Sequence, residues 1–129
     1  MPITHIAIWT DDLDSVAAFY ATYFAGMVGE LYSNPTKGFT SRFVRFAEGP
    51  PLEVMRSTTL DLSAVEAGRE RKGWAHVAFT VGSRAAVDEL TERLRADGYR
   101  IAREPRVTGD GFYESVVLDP DGNRVEVTE

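Results

Sequence analysis

Residues 5–8 read HIAI and return as HVAF at residues 76–79, and residues 52–55 read LEVM and return as VEVT at residues 125–128. The two histidines in these stretches are 71 positions apart and the two glutamates are 73 positions apart. Two similar halves, related by a small change in loop length, are therefore predicted. Because each half carries one strand histidine and one strand glutamate, the repeat also predicts a single metal site built from both halves.

The first half predicts the element order β-α-β-β-β. Alternating apolar residues predict the first strand, and aspartates followed by apolar residues at helical spacing predict a helix that ends at Gly26. Turn residues then separate three further strands. The four predicted strands of this half are Ile3–Thr10, Met27–Ser33, Phe39–Phe46 and Leu52–Ser57.

The second half repeats this order. A helix opened by Ser83 is expected to end at Gly98, and a capping-box pattern from Ser63 to Glu66 predicts a short linking helix. The predicted strands are Trp74–Val81, Tyr99–Arg103, Phe112–Leu118 and Arg124–Thr128. We expect one α+β domain with a module at 1–57, a linker at 58–73 and a module at 74–129. The two tandem βαβββ modules should form a partly closed mixed sheet around a cavity, with the helices outside.

The composition restricts the class of partner. The chain has 129 residues, 14 basic and 20 acidic residues, a formal charge of −6 and no cysteine. The negative charge argues against nucleic acid or an anionic membrane surface as partner and favours a small molecule. Without cysteine, any metal must be held by nitrogen and oxygen ligands. The start of the chain has no basic segment followed by an apolar stretch, so we expect a soluble, cytoplasmic protein.

The strand alternation groups four polar residues. Each of them lies in the phase opposite to the aliphatic residues of its strand, and that phase should line the concave face of the sheet. Buried imidazoles and carboxylates are costly unless they are paired or metal-bound, so a shared divalent ion is predicted: Zn, Ni, Co, Mn or Fe. Open positions on that ion would accept two neighbouring substrate oxygens, while one ligand carboxylate acts as a base. The four residues are His5, Glu53, His76 and Glu126.

Together with the closing stretch DPDGNRVE at residues 119–126, these features resemble the vicinal oxygen chelate superfamily. That superfamily includes glyoxalase I (lactoylglutathione lyase), methylmalonyl-CoA epimerase, extradiol dioxygenases, fosfomycin-resistance transferases and bleomycin-binding proteins. The His/Glu/His/Glu order is most similar to glyoxalase I. The resemblance implies a metal-dependent lyase or isomerase in which Glu126 is the mobile base and Glu53 is the opposing carboxylate. It also implies a homodimer, with the modules paired within one chain or swapped between two.

Three positions depart from the glutathione-binding pattern that the resemblance implies. Trp9 stands where an arginine is expected, Ser57 where an asparagine is expected, and Thr108 near an expected lysine. We therefore predict a substrate that is not strictly glutathione-linked. The expected substrate contacts are Trp9, Met55, Ser57 and Tyr113.

Two other functions fit the same superfamily. One is a module that sequesters an aromatic or metal-chelating small molecule, as in the bleomycin-resistance branch. The other is a non-haem iron dioxygenase that would use His76, Glu126 and one further histidine. The additional ligand Glu53 disfavours the dioxygenase.

Overall fold

The computed structural model describes residues 1–63, 66–68, 70 and 72–129. The chain divides into two compact units, Met1–Ala64 and Val65–Glu129. Within the described residues, each unit has one α-helix packed on one mixed sheet, so the predicted α+β class is confirmed.

The elements of the first unit are β1 (Ile6–Trp9), α1 (Leu13–Phe24), β2 (Met27–Val28), β3 (Tyr32–Asn34), a 3₁₀ turn (Pro35–Lys37), β4 (Phe39–Arg45) and β5 (Leu52–Ser57). Strand β1 pairs in parallel with β5, β5 pairs antiparallel with β4, and β2 and β3 both pair antiparallel with β4. The single strand predicted over 27–33 is wrong, because two short strands form there, and between them the amide of Gly29 donates to the carbonyl oxygen of Phe43.

Helix α1 begins after a capping aspartate and ends at Phe24, two residues before the glycine that the sequence suggested. The side chain of Asp12 accepts a hydrogen bond from the amide of Ser15 at 3.0 Å. The left-handed residue after the helix is Ala25, with φ of 52°. Gly26 is needed for close packing instead, since a Cβ atom there would lie 2.4 Å from Cγ1 of Val44.

The aliphatic phase of the first sheet faces the helix, as the strand alternation predicts. Helix α1 packs on β4 and β5. The buried side chains of α1, β4 and β5 include Val16, Phe19, Tyr20, Val44, Leu52 and Val54. The alternate positions of the same strands face away from the helix and are left for polar and aromatic residues.

The elements of the second unit are β6 (Val77–Thr80), α2 (Arg84–Ala96), β7 (Ile101–Val107), β8 (Tyr113–Leu118) and β9 (Arg124–Thr128). Its strand order is β6-β9-β8-β7, with a parallel β6–β9 pair, so the arrangement of the first unit is repeated. Strand β7 extends beyond the predicted end at Arg103. Pro105 is tolerated there because β7 is an edge strand, and the register shifts on both sides of Arg103. Helix α2 begins after Ser83, whose hydroxyl accepts a hydrogen bond from the amide of Ala86.

The linker does not contain the predicted helix in the part that the structure describes. The amide and hydroxyl of Ser63 both donate to Oδ1 of Asp61. The amide of Gly68 donates to the carbonyl oxygen of Gly122 at 3.1 Å, and Nε of Arg124 donates to the carbonyl oxygen of Gly68 at 3.0 Å. Residues 64, 65, 69 and 71, which complete the predicted helix region, lie outside the described residues.

Neither α1 nor α2, with 12 and 13 residues, is long enough to cross a bilayer, and the described residues contain no candidate membrane-spanning helix.

Candidate functional site

The first unit brings His5 and Glu53 together on the face of its sheet that is opposite α1. Ala7 of β1 is the register partner of Glu53 in β5, and His5 precedes Ala7 by two residues. Since side chains alternate along a strand, the imidazole and the carboxylate lie on one face. Nε2 of His5 is 3.7 Å from Oε2 of Glu53, and the side chains are 44% and 16% exposed.

The second unit places His76 and Glu126 in the same way. Ala78 of β6 is the register partner of Glu126 in β9, and His76 again precedes that alanine by two residues. Nε2 of His76 is 3.6 Å from Oε2 of Glu126, and the side chains are 43% and 17% exposed. The repeat in the sequence therefore produces two nearly identical imidazole–carboxylate pairs.

The orientation of His5 is supported by two neighbours. Its Nδ1 atom is 3.2 Å from the hydroxyl of Thr4, which leaves Nε2 directed toward Glu53. The imidazole ring also packs edge-on against Phe43, with 5.8 Å between the ring centroids. Phe43 is the register partner of Glu53 in β4, so one aromatic ring borders both members of the pair.

The chemistry of the two pairs fits a divalent ion. Nitrogen and oxygen ligands at about 2.1 Å from one ion are about 3.0–3.4 Å from each other, so each pair is within a few tenths of an ångström of a chelating separation. Among the described residues, however, no group of three or more His, Asp or Glu side chains is placed to hold a metal. The structure thus shows two pairs, and a common centre of all four ligands stays a prediction.

Glu114 is an additional acidic residue beside Glu126 that was not predicted from the sequence. Val116 is the register partner of Glu126, and Glu114 lies two residues away on the same face of β8. Its side chain is 13% exposed, and its Oε1 atom is 3.5 Å from Nη2 of Arg106. Burial and then the charge of Glu126 raise the pKa of the Glu114 carboxyl, and Arg106 partly opposes them. The sequence signal for Glu114 was its spacing, since it lies two residues from Val116 and therefore on the same face of β8.

Three of the four expected substrate contacts share the face that carries His5 and Glu53. Trp9 and Met55 are register partners in β1 and β5, two residues beyond the Ala7–Glu53 row. Ser57 lies two residues further along β5, and its hydroxyl is 2.9 Å from that of Thr59. The Trp9 side chain is 49% exposed.

Tyr113, the fourth expected contact, lies on the other face of its sheet. Ser115 lies two residues further along β8 and therefore on the same face as Tyr113. The Ser115 hydroxyl is hydrogen-bonded to that of Thr91 in α2, so this face of the sheet is the helix side. The Tyr113 hydroxyl donates to Oδ1 of Asp88 at 2.8 Å, and the guanidinium of Arg84 lies 5.2 Å from its ring centroid. The structure therefore does not bring Tyr113 to the face of Glu126.

Two surface cavities of about 250 and 310 Å³ lie in the first unit. The smaller is bordered by the start of α1 and by Arg42, and the larger by Phe39 and the turn around Gly38. Arg56 borders both, and none of the four predicted ligands borders either. These cavities do not coincide with the imidazole–carboxylate pairs, whose donor chemistry is the stronger indication of a site.

Comparison with known proteins identifies the family. The profile of the glyoxalase/bleomycin resistance protein/dioxygenase superfamily matches residues 2–127. The chain belongs to this superfamily. The resemblance drawn from the sequence is confirmed, and the match extends through both units and the linker.

Relatives in the superfamily include characterised and uncharacterised proteins. The chain is 35% identical to the uncharacterized protein PA2024 of Pseudomonas aeruginosa over 96% of its own length and 85% of that protein. It is 28% identical to the lactoylglutathione lyase GLX1 of Arabidopsis thaliana, over 97% of its own length and 43% of that protein. A glyoxalase I mutant from Zea mays matches in structure with a TM-score of 0.77 and 25% identity, over 98% of this chain and 44% of that chain.

Membership of the glyoxalase superfamily does not by itself select an activity. The superfamily description covers glyoxalases, bleomycin resistance proteins and dioxygenases, and the chain spans less than half of the two plant proteins. The choice among these functions depends on the residues of the site itself.

Proposed function

We propose that this protein is a metal-dependent lyase or isomerase of the glyoxalase I type. Its substrate would be a small molecule with vicinal oxygens, not strictly linked to glutathione. The observation that carries the proposal is the matched geometry of the two pairs, His5–Glu53 at 3.7 Å and His76–Glu126 at 3.6 Å. A purely structural role gives no reason for the same pair, with the same register and exposure, in both units.

The four side chains would hold one divalent ion per site, with two imidazole nitrogens and two carboxylate oxygens as ligands. When bound, such an ion supplies Lewis acidity to the carbonyl oxygen of the substrate and stabilises developing negative charge. These ligand types suit Zn, Ni, Co, Mn or Fe.

Glu126 is the proposed base. Its carboxylate takes the proton from the substrate carbon that bears the hydroxyl group and returns it to the neighbouring carbonyl carbon. The hydroxyl proton passes from one vicinal oxygen to the other, so the isomerisation conserves every atom. Glu53 is the opposing carboxylate and shares proton transfer. The carboxyl of Glu114 lies next to Glu126, whereas the corresponding position beside Glu53 in β4 is Ser41. This difference distinguishes the two glutamates.

Elemental analysis of the purified protein, followed by isomerase assays, tests the proposal. We expect a stoichiometric divalent metal and turnover of a hemithioacetal, with glutathione adducts compared with adducts of other thiols. Treatment with a chelator should abolish turnover, and the metal should restore it. Protein that is loaded with each of the five metals and turns over no hemithioacetal would contradict the proposal.

A homodimer is part of the proposal, because two chains supply four modules and therefore two four-ligand sites. Light scattering tests the mass, and a monomer at working concentration would contradict the homodimer.

Mixing His5→Ala protein with Glu126→Gln protein shows whether the modules pair within one chain or are swapped between two. Modules swapped between chains would give one intact site per mixed dimer and restore activity, whereas modules paired within a chain would restore none.

The second candidate function is sequestration of an aromatic or chelating small molecule. The half-exposed Trp9 beside the first pair favours it, since an exposed indole offers a large contact surface. This function predicts saturable binding without conversion of the ligand. Mass spectrometry of the ligand recovered after incubation distinguishes the two candidates.

A further inference from the structure

Three aromatic side chains form a continuous surface on the sheet face that carries His5 and Glu53. Trp9 packs edge-on against Phe39, with ring centroids 6.2 Å apart and an interplanar angle of 90°. Phe39 also contacts Tyr32 at 6.2 Å. We call Trp9, Phe39 and Tyr32 the aromatic wall. Phe39 and Tyr32 were not among the residues singled out from the sequence.

The strand register connects the wall to the first imidazole–carboxylate pair. Glu53 and Phe43 are register partners, and Phe39 is the partner of Ser57 on the same two strands and in the same phase. Trp9 is aligned with Met55, two residues beyond Glu53. At about 3.3 Å per residue, the Trp9 row lies about 7 Å from the Glu53 row. An aryl ring joined directly to a vicinal-oxygen unit spans such a distance.

The exposure of the wall indicates that it is available to a small molecule. Trp9 is 49% exposed and Tyr32 is 56% exposed, while Phe39 is half-buried between them. Phe39 contacts both outer rings, so the wall offers an apolar surface whose rings are already packed against each other. Aromatic ligands pack on such surfaces by offset or edge-on contact.

The second unit differs from the first at two positions on this face. The position corresponding to Trp9 is Thr80, which is aligned with Thr128. The position corresponding to Ser41 is Glu114, which faces Arg106. The two halves of the repeat have therefore diverged outside their imidazole–carboxylate pairs.

We infer that the aromatic wall selects substrates in which an aryl ring is attached to the vicinal oxygens. This inference rests on the proposed function for the oxygen-binding end and adds the class of substituent. Trp9, Phe39 and Tyr32 are specificity-determining residues that contact the ring and take no part in proton transfer.

Mandelate and lactate provide the test, because both carry the same hydroxy-acid oxygens and only mandelate has a ring. We expect the metal-loaded protein to bind mandelate about tenfold more tightly than lactate. Trp9→Leu should bring the ratio of dissociation constants close to one, and Tyr32→Leu, at the exposed margin, should lower it partly. Tyr23→Leu, an aromatic change on α1, is the matched control and should leave the ratio unchanged. An unchanged ratio in both wall variants would overturn the inference.

Two further measurements separate this inference from the proposed function. Turnover of hemithioacetals with equal binding of mandelate and lactate would overturn the inference and leave the isomerase standing. A mandelate preference that depends on Trp9, in protein that binds no metal and has no turnover, would support the inference and reject the isomerase.

Light scattering of Trp9→Leu should show the wild-type mass. A lower mass, with an unchanged ligand ratio, would identify the wall as a contact between two copies and overturn the inference.

Discussion

Nε2 of His76 lies 3.6 Å from Oε2 of Glu126, across a parallel strand pair that aligns Ala78 with the glutamate. The same relationship joins His5 to Glu53 in the first unit. The Glu126 carboxylate is 17% exposed and lies next to an imidazole, a placement that suits a metal ligand or a general base. The two glutamates can therefore be compared directly by the same substitution.

Glu126→Gln should retain the metal and lose turnover. The amide keeps the shape and one oxygen ligand but cannot accept the substrate proton, so we expect kcat to fall by about 10²–10⁴-fold. Metal content by elemental analysis and kcat by the isomerase assay are the two measurements. Glu53→Gln is the matched variant and should reduce kcat less. Equal activity of Glu126→Gln and wild type on a true substrate would show that the assigned base is wrong.

The sequence was sufficient for the features that depend on repetition and alternation. It predicted the bounds of Leu52–Ser57 and Arg124–Thr128, which the structure confirms as β5 and β9. The placement of Glu114 and the contact of Tyr32 with Phe39 depend on which residues face each other across strands. That register is set by hairpin geometry and packing, which one sequence does not reveal. The side of the sheet occupied by Tyr113 was missed for the same reason.

Gly26→Ala should destabilise the first unit. The new Cβ atom would lie 2.4 Å from Cγ1 of Val44, a fully buried side chain on β4. Overpacking of this kind costs about 1–3 kcal/mol in the free energy of unfolding. Chemical denaturation measures the loss. Gly109→Ala is the control, because nothing lies within 4 Å of its added Cβ atom, and it should change stability by less than about 0.5 kcal/mol. Equal stability of Gly26→Ala and wild type would show that Val44 moves away freely.

Thr91→Val should cost more stability than Ser115→Ala. The Thr91 hydroxyl donates to the carbonyl oxygen of Val87 at 2.7 Å and lies 2.7 Å from the hydroxyl of Ser115, and both side chains are fully buried. Valine removes the Thr91 hydroxyl and leaves that of Ser115 without this partner, at a cost of about 1–3 kcal/mol. Alanine at 115 leaves the bond from Thr91 to Val87 in place. Denaturation of both variants and of the double variant measures the coupling, and an equal loss in the two single variants would contradict this account.

The titration of Tyr113 tests its place on the helix side of the second sheet. Its hydroxyl donates to Asp88, and this hydrogen bond, with burial and the Asp88 charge, raises the pKa of Tyr113 above its ordinary value of 10.0. The stabilisation that follows from a raised pKa is complete below the ordinary value and is lost as the pH rises through the folded value. Asp88→Ala should therefore lower the pKa of Tyr113 and weaken the protein at neutral pH more than at strongly alkaline pH. The difference in tyrosinate absorbance between each protein and its Tyr113→Phe counterpart isolates this residue. An identical Tyr113 titration in wild type and Asp88→Ala would contradict the hydrogen bond between these two residues.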